Sequence, residues 1–68
     1  MSKKKIGKSI KARRKALRVT QQQLAQLADV SVNTLYNIER GQANPTLETL
    51  DGIADVLGME VCLKVKKL

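Results

Sequence analysis

The chain has no histidine, phenylalanine or tryptophan, and only one cysteine, one proline and one tyrosine in 68 residues. Each shortage removes a class of function. Without histidine there is no imidazole to serve as a general base or to anchor a metal, and Asp51 and Asp55 are left as solvated acids on an expected helix. No glycine-rich phosphate loop appears, and no nucleophile or acid set in a cleft, so no enzyme, catalytic residue, cofactor or metal is expected. A lone Cys62 cannot close an internal disulfide, which makes a reducing cytoplasmic setting the default. No apolar run approaches the ~20 residues of a membrane span. The start, "MSKKKIGKS", lacks the apolar core of a signal peptide, so no membrane partner is expected. A domain this small buries only about 60% of the surface its unfolded chain exposes. It has room for four or five short elements, and none for a deep substrate cavity.

Acid is missing too, but only locally. The first eighteen residues hold nine bases (Lys3, Lys4, Lys5, Lys8, Lys11, Arg13, Arg14, Lys15, Arg18) and no carboxylate. All six acids lie between Asp29 and Glu60, where Arg40 is the single base, and the net charge is +7. A basic end of this kind concentrates near phosphates or anionic lipid, or is simply a solvated face. Residues 1–5 read as a flexible basic arm along a duplex backbone, or as a solvated tail.

Helical periods fill most of the remainder. Ile6, Ile10, Arg14 and Leu17 form one stripe. Thr20 and Gln23 make a T-x-x-Q capping box, with Val19 and Leu24 at the staple positions, and Leu24, Leu27 and Ala28 facing inward. Ser31 caps a third helix, stapled by Val30 and Leu35 and ended by Gly41. After the "GQANP" turn, Thr46 caps a fourth that carries Leu47, Leu50, Ile53, Ala54 and Leu57 and stops at Gly58. Gly52, inside it, costs up to about 1 kcal/mol relative to Ala and reads as a close-packing point. Then Met59, Val61, Leu63 and Val65 alternate with polar residues and Cys62, which is strand spacing with no second strand to pair with.

The connection from Asp29 to Ser31 is so short that the second and third helices must cross tightly, with small Ala25 at the crossing. That is a helix-turn-helix, whose second helix enters the DNA major groove. With Leu35 and Ile38 used inward, Val32, Asn33, Tyr36, Asn37 and Arg40 form one outward stripe. Carboxamides there suit adenine N6/N7, and Val32 suits a thymine methyl. Tyr36 contacts phosphate or base, or is an ordinary surface residue.

The segments "IKARRKAL", "TQQQLAQLADVSVNTLYNIERG" and "NPTLETLDGIADVLG" resemble the lambda-repressor/Cro-type helix-turn-helix domain, the XRE family, over residues 6–58. The resemblance implies an all-α, four- to five-helix fold and a transcriptional regulator, expected to be a repressor, bound to double-stranded DNA. It implies phosphate contact at the start of the second helix through backbone amides and Gln21. Ser31, Val32, Asn33, Thr34 and Asn37 fall at base- and phosphate-reading positions, and Arg40 at a backbone-contacting one. Arg14 and Glu39 match a partly buried salt bridge that is structural in relatives. Two positions depart from the pattern: Asp29 and Arg18 stand where many members have Gly. The tail, "LGMEVCLKVKKL", resembles that of HipB-type antitoxins, whose C-terminal strands pair between subunits. On that pattern, residues 59–68 form a β-strand that pairs in a homodimer through Met59, Val61, Leu63 and Val65, on a palindromic operator at the nucleoid. The alternative it implies is an antitoxin that neutralises a kinase-like toxin partner and represses its own operon.

Overall fold

The computed structural model describes residues 2–67. Its helices are α1 (Lys3–Ala16), α2 (Gln21–Leu27), α3 (Val32–Glu39) and α4 (Leu47–Val56). Each begins on a hydroxyl: Ser2, Thr20, Ser31 and Thr46 are extended N-caps whose side chains accept from the N–H of Lys5, Gln23, Thr34 and Thr49. Each cap satisfies a donor that the helix itself leaves free, and such a cap is worth about 1 kcal/mol. Gln23 closes the capping box by accepting from the Thr20 N–H at 2.9 Å.

Each helix also ends in the same way. Arg18, Asp29, Gly41 and Gly58 take φ values of 57°, 57°, 74° and 68°. The next residue then turns its N–H back five residues, Val19 to Arg14, Val30 to Ala25, Gln42 to Asn37 and Met59 to Ala54, at 2.8–3.0 Å. These are Schellman closures. Gly41 and Gly58 adopt the left-handed conformation freely. Arg18 and Asp29 do so against the steric preference of their Cβ, which Asp tolerates better. Val19 and Val30 each finish one helix and precede the cap of the next, so α1, α2 and α3 follow with no slack.

The core comprises Ile10 from α1, Leu24 and Ala25 from α2, Leu35 and Ile38 from α3, and Leu50, Ile53 and Leu57 from α4 and its end. Three leucines expected in it lie outside: Leu17, Leu27 and Leu47 are 42%, 67% and 71% exposed. Leu17 is the C-cap of α1, where the helical stripe has already ended. Leu27 is one residue, or about 100° of rotation, from Ala28, so the inward face of α2 has passed it. Leu47 opens α4 and has no preceding turn to pack beside.

Two further expectations are corrected. First, α1 starts at Lys3, not Ile6, so Lys3, Lys4 and Lys5 form its first turn behind the Ser2 cap. An apolar stripe cannot report a turn made of lysines. Second, no β-strand occurs among the described residues, and the C-terminal segment is irregular. A strand needs a ladder of backbone partners, and nothing among the described residues provides one. Instead Met59 and Val61 pack against the core, whereas Leu63 and Val65 stand 91% and 99% exposed. Met1 and Leu68, the outer ends of the expected arm and tail, lie outside the described residues.

The close-packing glycine is Gly7, not Gly52. A Cβ on Gly7 would collide with the backbone carbonyl of Ile38 and lie 2.6 Å from that of Glu39. One on Gly52 would meet only the Ala28 carbonyl at 3.8 Å, an ordinary contact. Gly52→Ala is therefore expected to raise the unfolding free energy by roughly 1 kcal/mol. Urea denaturation measures it, and a lower midpoint would refute the open packing at this position.

Candidate nucleic-acid interface

The α2–α3 crossing is held by Ala25, which is 1% exposed, with Leu35 and Ile38 turned inward at 0% and 2%. This rotation of α3 presents Val32, Asn33, Tyr36 and Arg40 to solvent and leaves Asn37 half-buried beside them. Asn33 and Asn37 are one turn apart on the same face, and neither carboxamide is hydrogen-bonded among the described residues. The Ser31 hydroxyl accepts from the Thr34 N–H at 3.0 Å and donates to Thr34 Oγ1 at 2.8 Å. That leaves the Thr34 hydroxyl proton for an outside acceptor. The Arg40 guanidinium lies over the Tyr36 ring, 5.0 Å from its centroid, one helical turn away. This cation–π contact holds Arg40 along the exposed face.

Behind that face lies a small ionic network. Arg14 Nε donates to Glu39 Oε2 at 2.7 Å and Nη2 to Oε1 at 3.1 Å, a bidentate pair. Arg14 Nη1 also donates to the Val19 carbonyl at 2.9 Å. Both residues are buried, at 8% and 7% exposure. Burying two charges is expensive unless their geometry is good and their other polar atoms are satisfied. Here the fork-to-fork match and the additional bonds meet that condition. Gln21 Nε2 donates to the same Glu39 Oε1 at 3.0 Å, so one carboxylate ties α1, the start of α2 and the end of α3 together. The second amide hydrogen of Gln21 has no partner among the described residues. Spacing alone gave no sign of this Gln21–Glu39 bond, because the partners are eighteen residues apart.

The bases of α1 are divided among different tasks. Arg13 Nε donates to the Leu57 carbonyl at 2.9 Å and so caps the end of α4, away from α3. Arg14 is inside. Lys15 and Arg18 instead line an open concavity of about 540 Å³, shared with Thr20, Gln21 and Val32. Among the described residues no group of three or more His, Cys, Asp or Glu is arranged to hold a metal ion. Among the described residues, too, no helix is long and apolar enough to cross a membrane.

The description that matches residues 10–63 is that of a helix-turn-helix family. The chain is 46% identical over 56 residues to the immunity repressor protein of Bacillus phage phi105, a match covering 82% of this chain and 39% of that protein. It thus spans well under half the length of that relative. The crystal structure of the clp gene regulator ClgR from Corynebacterium glutamicum is similar, with a TM-score of 0.82 and 28% identity, over 85% of this chain and 62% of ClgR. The restriction-modification controller protein C.AhdI from Aeromonas hydrophila also has a TM-score of 0.82, with 29% identity over 85% of this chain and 88% of C.AhdI. With its capped α2–α3 pair, its tight crossing at Ala25 and these likenesses, the chain belongs to the lambda-repressor/Cro-like family of DNA-binding helix-turn-helix regulators.

Proposed function

We propose that the chain is a sequence-specific transcriptional repressor at the nucleoid that reads a palindromic operator as a homodimer, with α3 in the major groove. The observation that carries this reading is the outward face of α3. It is built of two carboxamides, Tyr36 beneath Arg40 and a short apolar side chain, and its carboxamides take no hydrogen-bond partner among the described residues. A surface helix without a ligand would carry Glu and Lys there. Asn33 and Asn37 are the adenine-reading candidates, and Val32 meets a thymine methyl. Gln21, Ser31, Thr34 and Arg40 serve the phosphates that set register, with Tyr36 beneath Arg40. Repression is favoured by the likeness to a phage immunity repressor. Self-association through the tail is favoured at Leu63 and Val65, which the monomer leaves in water, while Met59 and Val61, expected to share in it, already pack against the core and would anchor the tail there. In such dimers the half-sites lie about 34 Å apart, or a multiple of it.

Selection of duplexes from a random pool tests the reading. Enrichment of an inverted repeat is expected. Asn33→Ala and Asn37→Ala should each remove about 1–3 kcal/mol of discrimination at one base pair per half-site. Full discrimination in both variants would show that α3 is not the reading helix. Sedimentation at micromolar concentration tests the dimer: Leu63→Ser with Val65→Ser should yield monomer, and an unchanged dimer would move the contact elsewhere.

A further inference from the structure

With Arg14 inside and Arg13 on the Leu57 carbonyl, four of the remaining bases of α1 recur at steps of four, three and four: Lys4, Lys8, Lys11 and Lys15. That is the spacing of one helix face, and all four are exposed, as is Arg18 in the left-handed turn just past the helix. At 1.5 Å per residue the stripe from Lys4 to Lys15 is about 16 Å long. Two contacts locate it against α3. At one end Lys4 abuts the residue just past the end of α3, since a Cβ on Gly41 would lie 2.9 Å from Lys4 Cγ. At the other, Lys15 and Arg18 share the concavity with Val32, the first residue of α3. So α1 passes α3 in the opposite direction.

On α1 the stripe flanks Gly7 and Arg14, the residues that meet the end of α3. At its C-terminal end Lys15, with Arg18 beyond it, lines the same concavity as Val32, the first residue of the outward face of α3. That concavity joins the basic stripe to the face that α3 presents.

We propose that this stripe is a second DNA-backbone track. With α3 in the groove, Lys4, Lys8, Lys11, Lys15 and Arg18 follow phosphates flanking the base pairs that α3 reads. The inference rests on the reading proposed above. Phosphates recur about every 3.4 Å of axis on each strand, so the stripe is long enough to meet several. A merely solvated helix face intersperses Glu with Lys, whereas here Lys4 and Lys8, and Lys11 and Lys15, repel each other at i, i+4 with no acid between them. A membrane is disfavoured because the apolar side of α1 is spent on the core, which leaves none to enter lipid.

The test compares two full-length triple variants of equal charge. One carries Lys8→Gln, Lys11→Gln and Lys15→Gln. The control carries Lys5→Gln, Lys66→Gln and Lys67→Gln, off the stripe. Fluorescence anisotropy follows binding to selected and random duplexes across salt concentrations, and circular dichroism checks folding. The stripe variant should flatten the slope of log affinity against log salt by about 2.7, from 0.9 per phosphate. It should lose affinity at least tenfold on both duplexes alike, whereas the control should change its slope by less than one. Equal slopes in the two variants overturn the proposal and leave a solvated face. An unchanged DNA slope with lost binding to phosphatidylserine vesicles overturns it in favour of lipid. If the wild type enriches no motif, sequence reading fails, yet the slope on random duplex still decides the stripe, because phosphate contacts need no sequence.

Discussion

Glu39→Ala should lower the unfolding free energy by about 3–5 kcal/mol, the usual result of leaving one member of a buried ion pair without the other. Arg14 would keep its bond to the Val19 carbonyl but lose both bonds to carboxylate in a site that is 8% exposed. A chain of this length has a total stability of only about 3–10 kcal/mol, so the loss is about a third of it or more. Urea denaturation followed by circular dichroism gives the number. The double variant Arg14→Met with Glu39→Leu should regain most of it, since apolar residues of similar volume often replace a buried pair without loss. The regained fold should still bind DNA less well than wild type, because Gln21 would have lost the carboxylate that orients its amide. A loss below about 1 kcal/mol for Glu39→Ala would mean that the pair behaves as an exposed one.

Gly7→Ala should produce the second large effect, with a sign opposite to that of Gly52→Ala. Both glycines lie inside helices, where alanine ordinarily gains up to about 1 kcal/mol. At Gly7 the new methyl would sit 2.6 Å from the Glu39 carbonyl oxygen and collide with that of Ile38. These are backbone atoms and cannot rotate away, so α1 must move off the end of α3. Overpacking of this kind costs about 1–3 kcal/mol, which outweighs the helical gain. The pair of variants is best measured side by side in urea. A stabilised Gly7→Ala would show that α1 and α3 do not approach so closely. The displacement should also loosen the Arg14–Glu39 pair, so the salt dependence of DNA binding should change with it.

Fold and candidate site were legible in the sequence to different degrees. The caps at Thr20, Ser31 and Thr46, the box at Thr20 and Gln23, the stops at Gly41 and Gly58, and the inward Leu35 and Ile38 all read correctly, whereas the Ser2 cap went unread because only lysines follow it. So did the family, carried by the capped pair of short helices. Leu17, Leu27 and Leu47 were placed inside and lie outside, because a period shows which residues share a face, not where the neighbouring helix ends. The tail was read as a strand from its alternation. Alternation is a property of side chains, whereas a strand is made by backbone partners.

By itself the sequence determined what depends on residues within about a turn of each other: where α2, α3 and α4 begin, which side chain caps each of them, and which stripe is apolar. Those interactions join a side chain to backbone three or four positions away, so a short window contains both partners. Tertiary structure alone decided the rest. It made Gly7 the contact point of α1 and α3, set Gln21 on Glu39 and turned Arg13 to the Leu57 carbonyl. In each case the partners are eighteen to forty-four residues apart. Only the distances and angles between packed helices bring them together.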